Sequence, residues 1–170
     1  KKIMKKFVVV FLFLSLIGHS ASYAQQTERE QGRGVYFELF GSGLTYSINY
    51  DQRFEKRFDG LGFKAGLSYI GVDGTSVATF PLGLNYLLGK NGKYFEMGLG
   101  GTYLAGADRS NTFFSGDSRT TGDGFVGNLI LGYRSEPQDG GFLFRASVTP
   151  MFGSGFFWPF YAGFSFGYAF

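Results

Sequence analysis

From residue 34 onward the chain alternates: large apolar side chains take every second position, and small or polar ones take the positions between. Successive side chains of a strand point to opposite faces, so this period of two predicts strands with one bulky apolar face each. The clearest run is the last. Phe160, Ala162, Phe164, Phe166, Tyr168 and Phe170 share one face, and Tyr161, Gly163, Ser165, Gly167 and Ala169 share the other. Six further runs follow the same scheme over residues 44–54, 63–69, 78–86, 95–103, 125–134 and 142–152. In the first of these Leu44, Tyr46, Ile48 and Tyr50 form the bulky face and Thr45, Ser47, Asn49 and Asp51 the polar one. A tilted strand needs about ten residues to cross a bilayer, which is close to what most of these runs supply.

In membrane barrels the periplasmic turns are short and the extracellular loops longer, and the last strand ends in the periplasm. Counting back from Phe170, residues 135–141, 89–93 and 55–60 are expected on the periplasmic side, and 153–159, 105–123 and 72–76 outside. Seven crossings would leave residue 44 outside, so an eighth must precede it. Residues 35–40 supply it, with Gly41-Ser42-Gly43 as a tight turn; one long strand over 35–54 with a glycine bulge is the alternative. The expected fold is all-β: an eight-stranded antiparallel up-and-down transmembrane β-barrel over residues 34–170. A soluble barrel would instead turn the bulky faces inward.

The first residues read differently. Lys1, Lys2, Lys5 and Lys6 precede an almost unbroken apolar run over 7–17, and Ser22-Tyr23-Ala24 offers small residues where a signal peptidase cuts. Residues 1–24 are therefore expected to be a cleaved secretory signal, and 25–33 a short periplasmic lead. The apolar run falls short of the roughly 20 residues that span a bilayer as a helix.

Removing the signal changes the charge. Four lysines leave, which takes the 16 Lys and Arg to 12 against 13 Asp and Glu. The mature chain is slightly acidic, so charge gives no support to nucleic-acid binding. The single His, at position 19, leaves as well, and the chain has no Cys. That removes Ser–His and Cys–His catalysis, imidazole metal sites and disulfides. No catalytic residue, cofactor or metal is expected. The 28 glycines and 20% aromatics suit a barrel whose rings cover the lipid face while glycines leave room in a narrow lumen.

Three segments resemble the small outer-membrane β-barrel proteins grouped as porin-family or outer membrane protein β-barrel domains. They are GSGLTYSINYDQR over 41–53, PLGLNYLLGKNGKYFEMGLGGTYL over 81–104, and GGFLFRASVTPMFGSGFFWPFYAGFSFGYAF over 140–170. The ending, with Phe164, Phe166, Tyr168 and Phe170 at alternate positions, is similar to the C-terminal insertion signal that the barrel assembly machinery reads. The resemblance implies two partners, that machinery and outer-membrane lipid. Barrels of the OmpA, OmpX and OmpW types share the architecture by analogy.

The candidate site is the lumen. Asp51, Lys64, Glu96, Arg134 and Arg145 all fall on inward faces, in the periplasmic half. Glu96 and Arg134 lie near the same end of neighbouring strands and are expected to pair, because a lone buried charge is costly. The expected result is a polar plug; a gate or a narrow path for small or hydrophobic solutes is the alternative. Phe113 and Phe114, in the longest loop, are candidate contacts for an extracellular partner that the sequence does not identify.

Overall fold

The computed structural model describes residues 29–72, 75–106 and 124–170. Eight antiparallel crossings close on themselves. They are β1 (Arg33–Phe40), β2 (Tyr46–Arg53), β3 (Gly60–Val72), β4 (Thr75–Lys90), β5 (Lys93–Ala105), β6 (Gly124–Ser135), β7 (Gly141–Val148) and β10 (Ala162–Ala169). Each pairs with its sequence neighbour, β7 pairs with β10, and β10 pairs with β1 to shut the ring. Phe37, for example, stands between Ile48 on β2 and Phe166 on β10. A closed ring leaves no sheet edge, so ladder N–H and C=O groups find partners within the wall.

Residues 35–40 are thus a strand of their own, and a single strand over 35–54 is ruled out by the antiparallel pairing of β1 with β2. The run expected over 142–152 is interrupted. β7 stops at Val148, and after Thr149-Pro150 a short hairpin follows, β8 (Met151–Gly153) and β9 (Phe156–Trp158). Pro150 has no N–H to donate, but its carbonyl accepts from Leu129 at 2.9 Å, and β8 continues the wall beside β6.

One end of the barrel gathers Arg33, Ala169 and the connections β2–β3, β4–β5 and β6–β7; we call it the terminal end. The opposite, loop end carries β1–β2, β3–β4, β5–β6 and the β8–β9 hairpin. At the terminal end β4 and β5 meet in a two-residue Asn91-Gly92 turn with φ of 55° and 74°, between the paired Lys90 and Lys93. Both angles are positive, as the twist of a tight hairpin demands, and Asn-Gly tolerates that best.

The faces are inverted relative to a soluble barrel. Ile48, Leu67, Leu82 and Leu99 are 57%, 56%, 60% and 58% exposed, and the bulky faces of all eight crossings point outward. Asp51, Arg53, Arg134 and Arg145 are at most 1% exposed and point into the lumen.

The main departure from the sequence expectation is the β1–β2 connection. Gly41–Gly43 form a 3-10 turn that is wholly buried. It folds into the loop end of the barrel rather than standing above it. Ser42 reaches across to Lys64 on β3, Asn128 on β6 and Thr102 on β5. Leu44, expected on the outward face, is inside instead. It joins Leu104, Val126 and Met151 in an apolar cap, with Val77, Phe156 and Tyr161 packed against it. Tyr161 donates its hydroxyl to the Leu44 carbonyl. Gly163 makes room for the inward turn: a Cβ there would lie 2.9 Å from the Gly41 Cα. Gly163→Val should therefore cost about 1–3 kcal/mol, the range for overpacking. Urea unfolding in detergent micelles, followed by Trp158 fluorescence, measures it, with outward-facing Ala162→Val as the near-neutral comparison.

Candidate functional site: a neutral charge network in the lumen

Among the described residues eight buried side chains carry charge: Glu38, Asp51, Glu96 and Glu136 against Arg53, Lys64, Arg134 and Arg145. Four anions meet four cations, so the lumen is electrically balanced. Balance is required because an uncompensated ion buried in a narrow apolar-walled tube costs several kcal/mol.

Alternation along the strands aims these side chains inward, and the ring closure brings them together. Arg145 on β7 clasps Glu96 on β5 with two hydrogen bonds, Nε to Oε2 at 2.8 Å and Nη2 to Oε1 at 2.7 Å. This fork is the strongest geometry a guanidinium and a carboxylate can adopt. The guanidinium also lies over the Tyr36 ring, 4.6 Å from its centroid. Asp51 Oδ1 on β2 accepts from Arg53 at 2.7 Å and from Arg134 at 2.9 Å. Arg134 continues to Glu136 through Nε at 2.8 Å.

Asn85 on β4 joins the two halves. Its amide Nδ2 donates to Asp51 Oδ2 and to Glu96 Oε1, each at 2.7 Å, and its Oδ1 accepts from Arg53 at 2.6 Å. Toward the loop end Glu38 lies 3.6 Å from Lys64 and 3.7 Å from Arg145. Lys64 donates to Ser42 of the inward turn at 2.6 Å. At the terminal end Arg29 binds Glu136 at 2.8 Å and the Pro137 carbonyl at 2.6 Å, and its guanidinium rests over the Phe58 ring. The network therefore runs from the inward turn to the residues that cross the terminal mouth.

All five residues expected in the lumen are there and in contact with the network. Their pairing differs from expectation. Glu96 is held by Arg145, and Arg134 goes to Asp51 and Glu136. Register explains this. Arg134 and Arg145 are direct cross-strand partners on β6 and β7. Two cations placed opposite one another repel, so each turns to a different carboxylate across the lumen. Lys64 also departs from the periplasmic half: its Cα is level with Asp51, but its ammonium reaches the turn at the loop end.

Sequence reasoning missed Glu38, Arg53 and Glu136. Arg53 shares the parity of Asp51, and Glu136 that of Arg134. Both were hidden because they lie at the last positions before a turn, and Glu38 because it sits in the shortest run. Arg29 carries no such signal. Phe164, Phe166, Tyr168 and Phe170 stand outward along β10 and its end, 42–50% exposed, and Phe170 N–H donates to Arg33 O at 3.1 Å. Phe113 and Phe114 lie outside the described residues.

Chemically the network is closed. Asp51, Glu96 and Glu136 accept from guanidinium or amide donors, Glu38 lies 3.6 Å from the Lys64 ammonium, and the eight buried charged residues are each 2% exposed or less. That figure leaves no water-sized space beside them. Among the described residues the ionic contacts outside the wall at the terminal end are exposed ones, such as Lys56–Glu30 and Arg57–Asp59. The Arg57 guanidinium beside Asp59 holds that carboxyl below the usual carboxylate range. Such surface pairs add little stability. Among the described residues no group of His, Cys, Asp or Glu is arranged to hold a metal ion.

No family model matches the chain, and no curated protein does. Among solved structures the chain is similar to the N-terminal beta-barrel domain of Pseudomonas aeruginosa OprF, with a TM-score of 0.55 and 13% sequence identity. The likeness covers 84% of this chain and 98% of that one. At this identity it is a likeness of fold, that of a closed antiparallel barrel.

Removing one partner of the Arg145–Glu96 fork should be costly, and removing both should not. Arg145→Met or Glu96→Met alone should each lose about 3–5 kcal/mol, while the double variant should recover most of it. Urea midpoints of the four proteins in one detergent give the coupling. Additive losses would mean that the two groups do not act as a pair.

Proposed function

We propose that the chain is an outer-membrane β-barrel with a side-chain-filled lumen, whose role is structural or one of surface contact rather than catalysis. The observation that carries this reading is the inversion itself: a balanced, solvent-inaccessible charge network wrapped in an apolar outer wall. Water would penalise that wall, whereas hydrocarbon suits it. A bilayer also favours a closed barrel, since ladder groups have no water to bind. In this reading the terminal end faces the periplasm and the loop end faces outward. Residues 1–24 serve as the export signal, Phe164, Phe166, Tyr168 and Phe170 as the assembly signal, and the 105–123 loop, with Phe113 and Phe114, as the surface for an outside partner.

The network argues against the alternative of a narrow channel for small or hydrophobic solutes. Conduction would need a hydrated path past Arg145–Glu96 and Asp51–Arg134, and these pairs leave no water-sized gap. A barrel of eight strands is just wide enough for side chains to fill. Substrate access fails for the same reason, so the buried carboxylates offer no acid or base to an incoming molecule.

The direct test is single-channel recording of the refolded protein in planar bilayers. The expected record is flat. Steady conductance steps that shift when Glu96 or Arg145 is replaced would establish the channel reading instead. The insertion role of the last residue has a separate readout. Phe170→Ser should lower the amount of protein recovered in outer membranes of expressing cells, while leaving refolding from urea into detergent intact.

A further inference from the structure

The inward turn is held in an unusual way. Phe40 has φ 59° and ψ −137°, and Leu44 has φ 73° and ψ −71°. Bulky L residues rarely adopt positive φ, and such outliers gather where a segment switches. Leu44 is the centre of a γ-turn closed by the Thr45 N–H on the Gly43 carbonyl at 3.1 Å, the rarer and more strained hand of that turn. The chain places glycine at 41 and 43 yet keeps Phe and Leu at two positions that glycine would relieve.

Several contacts offset this strain. Through Ser42, Lys64 Nζ donates to its Oγ at 2.6 Å, Asn128 Nδ2 to the same oxygen at 3.1 Å, and Thr102 Oγ1 to its carbonyl at 2.5 Å. Thr79 Oγ1 donates to the Gly43 carbonyl at 3.5 Å and the Tyr161 hydroxyl to the Leu44 carbonyl, while the Leu44 side chain sits in the apolar cap. Water could replace each of the hydrogen bonds; withdrawal also takes Leu44 out of the cap. Beside the turn, buried oxygens are left without a hydrogen-bond donor: Glu38 Oε2, Asn49 Oδ1 and Asn128 Oδ1. A buried acceptor left unpaired is costly, and hydration would relieve it. The glycine at 163 leaves no side chain between the turn and the β10 wall.

We propose that the β1–β2 turn is a retractable plug, which rests in the loop end of the barrel under strain and withdraws outward to uncover a blind polar cup floored by Lys64. The inference rests on the closed-lumen reading and deepens it. The Glu96–Arg145 and Asp51–Arg134 pairs lie below the turn, so withdrawal hydrates the upper lumen without opening a through-path.

The chain has no cysteine, so Ser42→Cys gives a single reporter. The refolded variant in lipid vesicles is treated with a charged, membrane-impermeant maleimide. Labelling should reach a rate limit set by opening and be faster than global unfolding, which Trp158 fluorescence reports. Adding Thr102→Val, which removes one holding bond, should speed labelling about tenfold. Adding Phe40→Gly, which relieves the strain of the closed state, should slow it.

Labelling only at the global unfolding rate would overturn the plug. So would immediate, complete labelling that neither substitution alters, since the turn would then never be shut. Hydrogen exchange on the unsubstituted chain covers the case in which Ser42→Cys does not fold: peptides spanning 40–45 should exchange faster than the flanking strands, and exchange in step with them would sink the idea. Planar-bilayer recording separates the two readings. Conductance from the unsubstituted barrel would refute the closed lumen, whereas a silent barrel whose Ser42→Cys never labels would refute the plug alone.

Discussion

Among the described residues eight charges share one narrow lumen, and the rest of the barrel accommodates the need to neutralise them there. A barrel whose apolar side chains are committed to the outer wall gains little from burying apolar surface inside. Its interior must be filled by groups that satisfy one another. The four carboxylates and four cations do this collectively. Asn85 belongs to both halves, bridging Asp51 and Glu96 with one amide nitrogen. Such a charge-balanced cluster specifies geometry sharply, since losing one member leaves a buried charge uncompensated. The lumen thus defines which strands must be neighbours as firmly as the ladder does.

The apolar groups that do lie inside mark the two ends. Leu44, Leu104, Val126 and Met151 close the loop end, and Tyr36, Leu143 and Ala169 pack at the other. Between them the interior is mainly polar, with Ile130 on β6 the buried apolar side chain between Asn128 and Arg134. This layering keeps water from the charge network at both mouths, and low local polarity in turn strengthens each pair. It also explains the glycines on the inward faces. An eight-strand tube has little radius to spare, so a large group such as the Tyr36 ring or the inward turn needs a bare backbone opposite.

Most of the fold was legible because a period of two is a strong signal when it recurs. Residues 95–103 and 160–170 alternate cleanly, and the strands there follow. The inward residues Asp51, Lys64, Glu96, Arg134 and Arg145 were legible by the same parity. Their partners were not. Pairing across a lumen depends on how far the sheet is sheared as it closes, and no single strand records that. Arg134 and Arg145 come to face one another only through the β6–β7 register. The inward turn was illegible for a different reason: Gly-Ser-Gly reads equally well as an exposed hairpin tip, and its direction is set by contacts with strands up to 86 residues away.

The span of these contacts has a bearing on assembly. Asp51 and Arg134 are 83 residues apart, and Glu96 and Arg145 are 49 apart. No hairpin formed alone contains either pair. An unclosed sheet would hold its charges singly, and a slip of one residue in any strand would move them to the apolar outer face. The network therefore acts as a checksum on the wall, because only the correct register brings all eight charges into mutual reach. Errors of pairing are penalised before the ring can shut, by a reckoning made among residues that take no part in the ladder itself.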